Sequence, residues 1–173
     1  MACAPTMVCN SGQCVAPSGI GVLSVPFSDA AQAQDFADWF VEPRNLDGAR
    51  LTVRAYAPGA TSGSLTIYLR DILGRPSSAL LQTELSQLSA KWTDLSIPIT
   101  GAGNFGANVV KQINLDVKAG AGPWATPTII YIDSVRTSNQ AVNDAFDSTT
   151  LDLLKSKVVA VPGSALDWVA GVP

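Results

Sequence analysis

The stretch ARLTVRAYAPGATSGSLTIYLRD, Ala49 to Asp71, holds two segments of alternating polarity around a loop of Pro, Gly, Ser and Thr. Side chains alternate across a strand, so Leu51, Val53, Ala55 and Ala57 share one face while Arg50, Thr52, Arg54 and Tyr56 share the other. In the second segment Leu65, Ile67 and Leu69 alternate with Ser64, Thr66, Tyr68 and Arg70. Pro58, Gly59, Ser62 and Gly63 break the pattern between them, which predicts a hairpin with a loop of about five or six residues. A hairpin sets Arg54, Tyr56, Tyr68 and Arg70 side by side on one sheet surface. The expectation is a polar, aromatic face laid on a β-sandwich.

The 173 residues are enough for one domain with a full core, and 47% hydrophobic against 14% charged residues argues against disorder. A net charge of −3, with 11 Lys and Arg spread along the chain, lacks the clustered positive field that nucleic acid requires. No apolar run reaches the roughly 18 residues that span a bilayer, so no membrane partner is expected. The start, MACAPTMVC, has neither the basic residues nor the apolar core of a signal peptide, and reads as cut from a longer protein. The chain has no histidine, which excludes Ser-His and Cys-His nucleophilic catalysis and the common zinc sites. Cys3, Cys9 and Cys14 crowd the first 14 residues, like the short Cys-rich linkers of secreted bacterial proteins. Their odd number leaves the pairing open, and the expected compartment is oxidising and extracellular.

Outward from the central stretch, Ile20–Phe27 reads as a first strand. Ser28 and Asp29 then precede AAQAQDFADWF, where a capping residue and the spacing of Phe36, Trp39 and Phe40 predict a short helix. Further strands are expected over 80–88, 91–99, 109–117 and 128–136, with turn signals between them. The fold class is therefore all-β, an antiparallel β-sandwich of jelly-roll type with one short helix near the N-terminus. Residues 1–18 read as a Cys-rich linker and 19–138 as the sandwich. Residues 139–173 read as a tail, an extra strand or the start of a following module.

Four phrases in order, NLDGARLTVRAYAPGATSGSLTIYLRD, AKWTDLSIPI, VVKQINLDVKAG and PTIIYIDSVRTS, resemble the β-jelly-roll carbohydrate-binding modules of secreted bacterial cellulases, mannanases and xylanases. The likeness covers Phe36 to Ser138. It implies non-catalytic binding of a plant cell-wall β-glycan, a covalently linked glycoside hydrolase in the full-length protein, and a structural calcium. Sugar rings stack on aromatic side chains, while Arg, Asp, Asn and Gln bond hydroxyl pairs. The candidate carbohydrate-binding residues are Arg54, Tyr56, Tyr68, Arg70, Trp124, Trp39, Gln112, Asn114 and Asp116, forming a groove for soluble chains. Trp92, at a position that packs in the resembled modules, is expected in the core, and Trp168 stays unassigned.

Calcium takes several oxygen ligands, and Asp133 interrupts an otherwise apolar strand. In the resembled modules the matching Asp meets the end of the first strand, which makes Asp29 and Asp133 the candidate metal ligands. Asp71, Glu84, Asp94 and Asp116 are the acids from which a hydrolase would draw its pair, but none lies in a recognisable catalytic phrase, so no enzyme is expected. The alternative reading is an extracellular adhesion or spacer domain that binds protein.

Overall fold

The computed structural model describes residues 8–10, 13–15, 19–78, 81–144, 153–155 and 161–170. Cys3 and the side chains of Cys9, Cys14 and Trp168 lie outside the described residues. Strands β1 (Val8–Asn10) and β2 (Gln13–Val15) form a ribbon whose backbone register sets Cys9 opposite Cys14.

The other strands are β3 (Gly19–Val25), β4 (Ala33–Arg44), β5 (Arg50–Tyr56), β6 (Ser64–Asp71), β7 (Leu81–Glu84), β8 (Thr93–Pro98), β9 (Val110–Lys118), β10 (Thr128–Thr137), β11 (Asn143–Asp144), β12 (Leu153–Lys155) and β13 (Ala165–Ala170). A back sheet runs β13-β3-β10-β5-β8, with β11 on β10, and a front sheet runs β12-β4-β9-β6-β7. All these pairings are antiparallel. Counting β3 to β10 as first to eighth, the orders are 1-8-3-6 and 2-7-4-5, the interleaving of a jelly roll. Leu23, Leu51, Val53, Ile130 and Ile132 from the back meet Phe36, Leu65, Ile67, Ile113 and Leu115 from the front in one buried core.

Three segments depart from the sequence expectation. The segment predicted as a helix is the long strand β4, held to β9 over Ala33 to Trp39. Tertiary pairing overrides a helical propensity that is worth only tenths of a kcal/mol per residue. The change of period also separates the aromatics: Phe36 is buried and Phe40 packs on the core, whereas Trp39 faces out. In addition, β5 and β6 are not a hairpin, because they belong to different sheets. Residues 57–63 are an arch over the end of the core, with Ala57 and Ala60 buried beneath it and the Ala57 N–H donating to the Leu88 carbonyl at 2.9 Å.

Gly63 makes the arch possible. Its φ of +96° suits glycine, and a Cβ there would stand 2.5 Å from the Lys118 carbonyl oxygen. Gly120 in the facing loop is as tightly placed, 2.4 Å from the Gly63 nitrogen by the same measure. The segment predicted as a strand over 80–88 is the short β7 followed by a 3₁₀ turn, Leu85–Leu88, whose two leucines are buried. Beyond Ser138, β13 lies along β3 and β12 along β4, so the tail adds an edge strand to each sheet.

Candidate functional site

Strand alternation and the register of the front sheet array its outer face in rows. Trp39, Gln112 and Arg70 lie across β4, β9 and β6 in one row; Ala37, Asn114 and Tyr68 form the next; Asp35, Asp116 and Thr66 form the third. The structure thus brings Trp39, Tyr68, Arg70, Gln112, Asn114 and Asp116 onto one surface. Trp39 is 40% exposed at its margin, while Gln112 and Asn114 are buried among their neighbours.

A hydrogen-bonded chain crosses the three strands. The Tyr68 hydroxyl donates to Asp35 Oδ2 at 2.6 Å, and Asn114 Nδ2 donates to the same oxygen at 3.1 Å. Arg70 gives Nη2 to the Tyr68 hydroxyl at 3.3 Å and Nη1 to the Gly74 carbonyl at 2.9 Å. The Arg70 guanidinium carbon also stands 5.2 Å from the centre of the Tyr68 ring. From Tyr68 to Asp35 is two strand spacings across and two residues along, about 10 Å and about 7 Å. An upright tyrosine would not reach that far, so the Tyr68 side chain leans across β9 towards β4.

Burial, and then the bond to Asp35, push the Tyr68 phenol up to about 12, against a smaller opposing effect of Arg70. Desolvation likewise raises Asp116; Lys118, with Nζ 3.5 Å from its carboxylate, works against that, and the nearby Asp35 charge adds to it. Asp35 was hidden in the sequence by the helix reading. Had 33–40 been read with a period of two, Asp35 and Trp39 would have fallen on one side and Phe36 and Phe40 on the other.

The remaining candidates lie elsewhere. Arg54 and Tyr56 are on β5, in the back sheet, so they do not share a face with Tyr68 and Arg70. Arg54 is taken up by Asp94 at 3.2 Å and Asp133 at 3.7 Å, and stands 6.0 Å from the Trp92 ring centre. Tyr56 packs between Trp92 and Tyr131, with ring centres 5.6 and 6.2 Å away. Trp92 is not in the core: it packs against Tyr56 and Arg54 on the outer surface of the back sheet. Trp124 is a loop anchor: half-buried against the core, it donates Nε1 to the Gly120 carbonyl at 2.8 Å.

The proposed metal pair does not converge. Thr128 is the residue of β10 opposite Val25, so Asp29 lies beyond that end of the strands, whereas Asp133 is five residues further along β10, roughly 17 Å away. Asp29 closes a local turn by accepting the Ala31 N–H at 2.7 Å. Among the described residues, no group of three or more His, Cys, Asp or Glu is placed to hold a metal ion.

Asp71 is a structural carboxylate at the end of β6, sealed from solvent. It accepts the N–H groups of Leu73 at 2.9 Å, Arg75 at 3.0 Å and Gly106 at 3.0 Å, and Arg75 Nε at 2.6 Å. Burial alone would raise its pKa, but these donors outweigh it and hold the group below the ordinary carboxylate value.

No protein-family model and no curated protein matches the chain. Among solved structures, it is similar to PfGH50B, a glycoside hydrolase family 50 protein, with 12% identity and a TM-score of 0.50. The likeness covers 75% of this chain and 22% of that one, so this chain spans about a fifth of the neighbour's length. At that identity the similarity bears on the fold alone.

Proposed function

We propose that the chain is a non-catalytic carbohydrate-binding module whose ligand face is the outer surface of the front sheet. The observation that carries this reading is the convergence of Trp39, Tyr68 and Arg70 with Gln112, Asn114 and Asp116 on three adjacent strands. An exposed indole offers a flat apolar surface to the C–H face of a sugar, and the amides and carboxylates beside it match its hydroxyls. A β-linked glucan, mannan or xylan is the ligand class. The chain acts outside the cell, joined to a glycoside hydrolase. That a protein of a glycoside hydrolase family carries a similar fold within a longer chain is in keeping with this.

Affinity electrophoresis through xyloglucan, barley β-glucan, glucomannan, galactomannan and xylan tests the reading. Retardation is expected in at least one gel, weakened in Trp39→Ala and kept in Arg54→Ala, with no reducing ends released. Free migration of the wild-type chain in all the gels would sink it. One observation favours a second reading, a domain that contacts protein: Val41, Ile72 and Leu73 are exposed apolar residues, at 85%, 55% and 71%. Under that reading glycans cause no retardation.

A further inference from the structure

We infer that Asp35 and Asn114 form a two-acceptor subsite on the front face, which receives hydroxyl hydrogens from a sugar whose neighbouring hydroxyls are free. Glycans esterified at those hydroxyls are therefore rejected. The inference rests on the glycan reading above and deepens it.

Asp35 Oδ2 is satisfied by Tyr68 and Asn114, but Asp35 Oδ1 and Asn114 Oδ1 have no partner among the described residues, although the two residues are only 6% and 1% exposed. A buried acceptor left unpaired is destabilising, so two on adjacent strands call for an explanation. Asp71 shows what a purely structural carboxylate looks like in this protein, with both of its oxygens accepting hydrogen bonds.

The Tyr68 hydroxyl spends its one hydrogen on Asp35, while the Asn114 amide gives one N–H to Asp35 and Arg70 gives two to Tyr68 and the Gly74 carbonyl. The two orphaned oxygens can only accept, so a ligand that pairs them must bring O–H groups. Asp116, directly across from Asp35, adds a second carboxylate and makes an anionic group unwelcome. Both orphaned oxygens are closed to bulk water, so a hydroxyl reaches them only as the side chains around them shift. An ester oxygen in the same place presents an acceptor to an acceptor, the mismatch that hydroxyl-reading sites reject most strongly.

The test is calorimetric titration of the full chain with glucomannan and with xylan, each in its O-acetylated form and after mild alkaline deacetylation. Deacetylation is expected to tighten binding at least tenfold. In Asn114→Leu, checked for folding by its thermal midpoint, the ratio should fall to about twofold or less. Equal binding of the two forms by the wild-type chain overturns the subsite and leaves the glycan reading standing. Binding to neither form of either glycan overturns the subsite, and together with free migration in all five gels it defeats the glycan reading as well. Discrimination that survives intact in a folded Asn114→Leu shows that other residues read the hydroxyls, and also overturns the inference. The wild-type comparison needs no variant, so a misfolded Asn114→Leu does not remove the test.

Discussion

Asp71 is buried and Tyr68 half-buried, and their surroundings push these two titratable groups in opposite senses. The folded-state pKa of Asp71 is held below its unfolded value, so its contribution to stability is present above the unfolded value, about 3.9, and fades as pH falls through the folded one. Asp71→Ala strands the N–H groups of Leu73, Arg75 and Gly106 and is expected to cost about 2–3 kcal/mol. Urea unfolding at pH 7 and pH 3 should show that cost shrinking in acid; a constant difference would contradict the assignment. For Tyr68 the sign is reversed: its phenol stays protonated up to about pH 12, so the stability tied to that proton is full below pH 10 and is lost as pH rises from there through 12. Ultraviolet titration of the wild type against Tyr68→Phe should assign a phenol that ionises at about pH 12 to this residue. Removing the carboxylate in Asp35→Ala should bring that transition down in pH. No change would mean that Asp35 does not hold the ring.

At the scale of elements, β4 and the 57–63 arch decide where the chemistry goes. As a helix, 30–40 would have put Phe36, Trp39 and Phe40 together; as a strand it sends Phe36 inward and Trp39 out beside Gln112. Trp39→Ala should therefore weaken glycan binding on the order of tenfold, in line with the loss of one aromatic anchor, with little change in melting temperature. Phe36→Ala should do the converse, costing about 3–5 kcal/mol of stability. If Trp39→Ala unfolds the protein, the exposed position of that side chain is wrong. The arch depends on Gly63, where any Cβ meets the Lys118 carbonyl and φ is positive. Gly63→Ala should destabilise by about 2 kcal/mol or more, measured by denaturant midpoint. A neutral outcome would show that the two loops can separate at no cost.

Across the whole molecule, the sandwich has two outer faces, and they divide the polar aromatic residues between them. The back face carries Trp92, Tyr56 and Tyr131 packed side by side, with Arg54 clamped by two aspartates, an arrangement that serves sheet stability. Arg54→Ala should accordingly leave glycan affinity within about twofold, a value read from the same gels and well below the effect of a hot-spot residue. Equal losses from Arg54→Ala and Trp39→Ala would mean that the ligand reaches both faces. The strands of the central stretch, the inward residues Leu51, Val53, Leu65 and Ile67, and the absence of histidine chemistry were all legible in the sequence. So were the front-face residues Tyr68, Arg70, Gln112, Asn114 and Asp116, because strict alternation marks which side chains leave the core. Which sheet each strand joins was not legible. Two strands facing each other across a core obey the same period of two as two neighbours in one sheet, and a Gly- and Ser-rich loop serves a hairpin or an arch equally well. Long-range pairing made that choice by placing β5 beside β10 and β6 beside β9. Only then did Arg54 part from Tyr68, and Asp35, read as part of a helix, arrive at the centre of the site.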